Sequence, residues 1–512
     1  MITRSSGTNA DSLGVAQDIV RFTRAASRQF NKARSSVRDL FTDIYSIALA
    51  GSCVIMMAVS LFLALRDELA QRGLGTGFLV EPQWQVLPAD ALWIFLTYLV
   101  LIGITSTART LGPVTVSGAQ GSWWLPLPIS RRSMVLPSFR KRLIATGAVA
   151  ALAYIPFSLL TTVDRTAWAH ASSSVTFGAV AVIAVTAAAT LQLKPAHARS
   201  LQAVMFAVLI PLAVLPFFAP AVWSLVLPIA GAITFAAYVF VRAGEIHGAE
   251  LVRGGAVSGH AGGSIFFLDV NELRRSVAVE RRRPSNGRAA SLYARSVRGP
   301  LTAMVRADMV AFLRLQPAPV TSLIWLAICI AVVLITPSLP VFLQLGIIVI
   351  AACVTTAESG MVARRIAMIP ELDVLLPIRP ALVRCSRMLM PCVAMAAWMT
   401  ILTGVMSVLS TIGPALVLLG ALAGVGMGAG AVRAATRPPT DWMTPPVETP
   451  FGSIPANQLS SLLRGTDMTV LALIPVIFAL YLGDIHPGII LAQCLATTIA
   501  ITVHTSTSHS AQ

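Results

Sequence analysis

Charge is what this sequence has least of. Of its 512 residues only 12% are Asp, Glu, Lys or Arg, whereas 56% are hydrophobic and the mean hydropathy is +0.77. Soluble domains carry about a quarter charged residues, so a water-exposed globule is excluded and an integral membrane protein is expected. Lysine occurs only at Lys32, Lys141 and Lys194, none of them follows a glycine, and no G-x-x-x-x-G-K-[ST] is present. The chain therefore has no P-loop of its own. The six cysteines, Cys53, Cys329, Cys353, Cys385, Cys392 and Cys494, form no C-x-x-C pair and lie in or beside apolar runs. They read as small hydrophobes, neither disulfides nor metal ligands. The seven histidines form no H-x-x-x-H pair, which leaves a metal site or histidine-based catalysis without a frame. No catalytic residue, metal or cofactor is assigned.

Acids are also missing where an ion-driven carrier needs them. Glu358, Asp164 and Asp484 fall at the ends of apolar runs, none near a midplane. The same scarcity argues against an intramembrane enzyme with a carboxylate pair.

What is present is a succession of apolar runs of about 17 to 25 residues, the length a helix needs to cross roughly 30 Å of hydrocarbon. The expected spans are 44–65, 91–108, 144–163, 175–193, 201–219 and 222–241, then 320–335, 341–357, 388–409, 414–432, 468–482 and 489–503. The fold expected is an all-α integral membrane protein of about twelve transmembrane helices in two tandem six-helix repeats. Residues 1–43 form a basic leader, 44–241 the first half, 242–305 a polar cytoplasmic linker, 306–505 the second half and 506–512 a tail. The Gly-rich part of the linker and its run Glu280-Arg281-Arg282-Arg283-Pro284 argue against a packed core there. With the N-terminus inside, the inner loops hold Arg109, Arg131, Arg132, Arg140, Lys141, Arg142, Arg364, Arg365, Arg379, Arg384 and Arg387 among others, whereas the outer loops hold only Arg66, Arg72 and Arg165. The positive-inside rule then puts both termini in the cytoplasm of a bacterial cell. The net charge of +16 is dispersed over loops, which suits anionic lipid headgroups and not nucleic acid.

In the leader, Leu13, Ile19, Phe22 and Phe30 among Arg21, Arg24, Arg28 and Lys32 read either as an interfacial helix or as a tail. Ahead of the seventh span, Pro300 precedes Leu301, Met304, Val305, Met309, Phe312 and Leu313 at near-helical spacing. That segment is either a short amphipathic helix on the inner leaflet or an extension of the span.

One motif stands out, WWLPLPISRR at Trp123 to Arg132, with an echo VLLPIRP at Val374 to Pro380. A constant offset of 249 places Pro128 on Pro377, Leu127 on Leu376, Ile129 on Ile378 and Thr107-Ala108 on Thr356-Ala357, so the chain reads as two copies of one unit. Pro126 and Pro128 hold the first copy extended. Ser130 is placed to cap a short helix starting at Arg131, and Pro380 sits at a first helical position in the second copy. The product would be a basic, partly apolar knob with Trp123 and Trp124 at the membrane interface.

On these residues the chain resembles the permease subunit of ABC-2-type exporters, and it is similar to long actinobacterial polytopic membrane proteins. The resemblance implies two fused permease halves and a separate ABC ATPase as partner, docking on the loop between the second and third helix of each half. The docking residues it implies are Pro126, Pro128, Ser130, Arg131 and Arg132, then Pro377, Arg379 and Arg384. The second copy departs from the pattern, with Leu375 in place of Pro126 and no serine after Ile378. The implied function is ATP-driven export of a hydrophobic or amphipathic substrate, with no ATPase site in this chain. An ion-coupled secondary transporter and a non-transporting scaffold or assembly protein are the alternatives.

Three further features carry expectations. Gly420, Gly424, Gly426, Gly428 and Gly430 crowd the tenth span and suit close helix contact. The proline-rich stretch 437–467 reads as a second ATPase contact, a plug or a tether. The outer loop 66–90 with Trp84 has no equivalent in the second half.

Overall fold

Backbone amides placed in hydrocarbon find partners only within their own segment, and the apolar runs of this chain satisfy them as helices. The computed structural model describes residues 79–127, 130–161, 165–193, 198–266, 299–314, 318–335, 341–367, 378–436, 447–449, 452–454 and 465–506, with 14–15, 18–19, 21–23 and 25–30, which are helical, and isolated positions from 41 to 60 and at 291 and 294. Among the described residues nine helices are long and apolar enough to cross a membrane, and Thr466–Leu482 is a shorter apolar helix. By its contacts the chain divides into two compact units.

The first unit holds the described residues 93–266. Its helices are α1 (Ala89–Leu111), whose first turn belongs to the second unit, α2 (Gly118–Trp123), α3 (Arg131–Thr161), α4 (Ala167–Leu193), α5 (Ala198–Val214) with a 3-10 turn at Leu215–Phe218, α6 (Val222–Arg242) and α7 (Gly248–Phe266). Three of the expected spans fall within α1, α4 and α6, the expected 144–163 follows α3 to its end at Thr161, and 201–219 follows α5 and its turn to Phe218, while the first, 44–65, lies outside the described residues apart from isolated positions. The most enclosed is α4, which packs against α3 and α6. Small residues permit this, because a Cβ on Gly178 would stand 2.7 Å from the Gly147 carbonyl oxygen. One core cluster gathers Leu101, Tyr154, Phe177, Val180 and Leu209, with the Tyr154 and Phe177 rings stacked at 4.5 Å. A second gathers Val114, Val135, Phe139, Val239, Ile246 and Leu251.

That second cluster corrects the expectation of an unpacked linker for residues 243–266. Ile246 and Leu251 are fully buried, and α7 lies against the 112–117 segment. The glycines that suggested a loose tether are a packing face. A Cβ on Gly255 would overlap the Val116 carbonyl, and one on Gly254 would come 2.7 Å from the Thr115 methyl. The run 280–284 lies outside the described residues.

The second unit holds 79–92 and the described residues from 299 onward. It comprises α8 (Pro300–Arg314), α9 (Ala318–Val333), α10 (Val341–Ser359), α11 (Met361–Ile366), α12 (Pro380–Leu409), α13 (Ala415–Ala435), a hairpin of β1 (Val447–Thr449) and β2 (Gly452–Ile454), α14 (Thr466–Leu482) and α15 (Pro487–Ser506). The hairpin pairs Val447 with Ile454 and Thr449 with Gly452, a small exception to the all-α expectation. Within 437–467 the rest, apart from 465–467, lies outside the described residues. The axes of α8 and α9 differ by 67°, so the two do not form one straight helix, and the residues between them lie outside the described ones.

The tenth-span glycines pack as expected, on two faces of α13. Cβ atoms on Gly420, Gly424 and Gly428 would overlap Thr403, the Met395–Ala396 backbone and Cys392 of α12. On another face a Cβ at Gly426 would meet Ala472 at 2.8 Å, and one at Gly430 would meet Thr469 at 2.8 Å, both on α14. The loop ahead of α1 is also built into this unit. Leu79 and Val80 are buried among Met406, Ile412 and Leu416, the Glu81 amide donates to the Leu409 carbonyl (2.9 Å), and the Leu87 amide donates to that of Leu334 (3.1 Å).

Candidate functional site

The WWLPLPISRR stretch begins on a capped helix. Ser117 Oγ accepts from the Gln120 amide (3.4 Å) and Gln120 Oε1 accepts from the Ser117 amide (3.2 Å), a reciprocal capping box that starts α2. The helix lasts six residues, the Trp124 amide donates back to Gln120 O (2.9 Å), and the Leu127 amide donates to Trp124 O (3.2 Å). Pro126, lacking an N–H, cannot extend this turn into a helix. Trp123 is 77% exposed, and Pro126 and Leu127 are exposed too, while Leu125 packs on the Val114–Phe139–Leu251 cluster. The apolar rim of the motif is thus offered to the surroundings and Leu125 anchors it. Pro128 lies outside the described residues.

The short helix expected after Ser130 is corrected. A helix does start at Arg131, but it runs unbroken for 31 residues to Thr161, through Pro137 and Pro156. Met134, Val135, Phe139 and Leu143 bury at helical spacing, so the packing that fixes the first turns continues into the membrane-length part. At the start of the helix the Ser133 hydroxyl donates to the Ser130 carbonyl (2.9 Å). Arg131 is half-buried beside Gly248, and Arg132 is exposed beside Gly244.

In the second copy Pro380 occupies the first helical position, as the sequence predicts, and the Leu382 and Val383 amides donate to Arg379 O. This helix is continuous as well, at 30 residues. Arg379 is exposed, and Pro377 lies outside the described residues. Arg384 is half-buried and stands in electrostatic range of His504 on α15, as does Arg433 on α13.

Around it the helix ends of the second unit are tied by charged pairs. Arg387 Nη1 donates to Asp308 Oδ1 at 2.6 Å, with side chains only 16% and 6% exposed, joining α12 to α8. Arg433 Nη2 reaches Asp467 Oδ2 at 3.4 Å, while Asp467 Oδ1 accepts from the Gly465 and Met468 amides (2.6 and 2.8 Å) and so starts α14. Buried Arg364 donates to the Ala357 carbonyl (3.2 Å), holding α11 on α10.

Sequence reasoning passed over a second buried polar pair, in the first unit. Ser158 Oγ and His170 Nδ1 are 2.9 Å apart, with residues 2% and 7% exposed. The expected span began at Val175 because Ser172-Ser173-Ser174 interrupt the apolar run, which left His170 in a loop. The missed signal was Thr166, whose hydroxyl accepts from the Ala169 amide (3.4 Å) at the head of α4. Among the described residues no three His, Cys, Asp or Glu side chains converge as a metal site would require.

Helices of this length and composition, with polar groups drawn into pairs at their ends, define a predominantly helical, multi-pass membrane protein. Within that class, residues 86–445 match the profile of a family described as "Family of unknown function (DUF6297)", and the chain belongs to that family. No curated protein and no solved structure matches it.

Proposed function

We propose that the protein is the membrane-domain subunit of an ATP-driven exporter, two permease halves in tandem with twelve spans, energised by a separate ATPase. The halves sit in a bacterial plasma membrane with both termini cytoplasmic, as the arginine asymmetry of the loops supports. The observation that carries the reading is one arrangement recurring 249 residues apart. α3 starts at Arg131 and α12 at Pro380, and they are the longest described helices of their units. Each packs most extensively on the next long helix, α4 or α13, the most enclosed spans of the two units.

The continuity of α3 and α12 supports a mechanism. A 31-residue helix spans about 46 Å, so an ATPase pushing at Arg131 or Pro380 would act on a continuous helix long enough to reach across the membrane. Closure of the motor on nucleotide would tilt one half and move substrate outward. The surface available for docking is the exposed part of each motif, Trp123, Pro126, Leu127 and Arg132 in the first and Arg379 in the second.

Replacing Trp123, Pro126 and Arg132 with Ala and Leu127 with Ser tests this. Insertion and unfolding temperature should stay at wild-type values while retention of the ATPase falls at least about tenfold, the loss expected when an interface gives up about 1.4 kcal/mol or more. Undiminished retention in the folded variant would sink the docking surface.

A further inference from the structure

Helices α10 and α14 of the second unit leave a gap between them. It is a cavity of about 290 Å3, lined by Leu345 and Val349 of α10 and by Val470, Ile474, Ile477 and Tyr481 among the side chains of α14. Every lining group is apolar except the Tyr481 hydroxyl. Ile474, Phe478 and Tyr481 are 55%, 54% and 67% exposed, so the cavity opens sideways as a groove, and Phe342 and Ile350 on α10 are exposed apolar side chains too.

One wall, α10, is long and apolar enough to cross a membrane and the other, α14, is an apolar helix of 17 residues, near the lower limit for a span, so the medium facing an opening between them is hydrocarbon. The groove has the depth of one leaflet. Val470 to Tyr481 is eleven residue steps, or about 16 Å of helix rise, against roughly 30 Å for a whole hydrocarbon core. It also has a marked surface end. Just past Tyr481 the helix stops at Gly483 (φ 72°), and the exposed Asp484 and His486 pair at 3.5 Å follows. A tyrosine at the boundary between apolar and wet surroundings is where the amphipathic ring is favoured. At about 290 Å3 the space lies just below the roughly 300–1,000 Å3 range of ligand pockets, which suits one slender chain and not a bulky ring system.

We propose that this groove is a binding site for one acyl chain of a membrane lipid, entering from the bilayer with its headgroup at the Tyr481 end and its tail directed toward Val470. The site stands whether or not the exporter reading does. It differs from ordinary bilayer contact in that α10 and α14 enclose the chain from two sides, whereas Val149 and Leu152 of α3, 65% and 66% exposed, meet lipid on an open helix face.

The test is photolabelling of the full chain in vesicles of phosphatidylglycerol and phosphatidylethanolamine carrying a phospholipid with a diazirine in its acyl chain, read by peptide mass spectrometry. Labelling at Ile474–Tyr481 is expected to exceed that at Val149–Leu152 several-fold, and Val349→Trp, which fills the groove, is expected to bring it down to the level of Val149–Leu152. Equal labelling at the two places in the wild-type protein overturns the proposal, whatever the variants do. So does undiminished groove labelling in a folded Val349→Trp protein. Should that variant fail to insert, Leu345→Phe narrows the same groove by a smaller step and is read in the same way.

Discussion

Asp308 and Arg387 show what a single contact contributes where there is little water. The pair is buried at 2.6 Å, and breaking such a pair by removing one partner typically costs about 3–5 kcal/mol, more per residue than removing the two together. Asp308→Asn and Arg387→Gln should therefore each lower the unfolding temperature of the purified protein clearly. The double variant should recover part of the loss, and strict additivity of the two would refute the coupling. The residues were legible in the sequence, Asp308 in the segment leading into the seventh span and Arg387 after the second motif, but their pairing was not. Seventy-nine positions separate them, and no local period links residues brought together by the crossing of two helices. His170 was hidden for a related reason, since three serines masked the helix that carries it.

Helices were the most legible level, because apolar runs of membrane length admit no other backbone solution. Their ends were less so. The sequence placed the third span at 144–163, yet α3 begins at Arg131, because burial of Met134, Val135 and Phe139 outweighs the proline at 137. Glycine was misread in one place and well read in another. In α7 it suggested slackness and proved to be a contact face, whereas in α13 the four-residue spacing of Gly420, Gly424 and Gly428 already indicated a helix interface. Gly428→Ala should force α13 off the Cys392 backbone and destabilise by about 1–3 kcal/mol, the usual cost of overpacking. Gly404→Ala on α12, where a Cβ meets nothing within 4 Å, should be neutral or slightly stabilising because alanine favours helix. Thermal unfolding of the two variants side by side distinguishes them, and equal effects would contradict the packing described for α13.

For the whole molecule, the contacts divide the chain into two units, and one segment crosses from the sequence of the first into the second. Residues 79–88 precede α1 in the chain, yet Leu79 and Val80 are buried in the core of the second unit, so the described part of the loop left without a counterpart belongs to that unit's fold. No composition shift marks such a segment, since its apolar residues are ordinary until their partners are known. The tandem arrangement rests on the offset of 249, which the starts of α3 and α12 repeat, and the exporter reading rests on that arrangement. Its most direct test is the company the protein keeps. Gentle purification of the tagged full chain from its own host membrane, followed by mass spectrometry of what remains attached, should recover a P-loop ATPase in stoichiometric amount. Recovery of no nucleotide-binding protein, under conditions that keep an authentic exporter of this class intact, would contradict it.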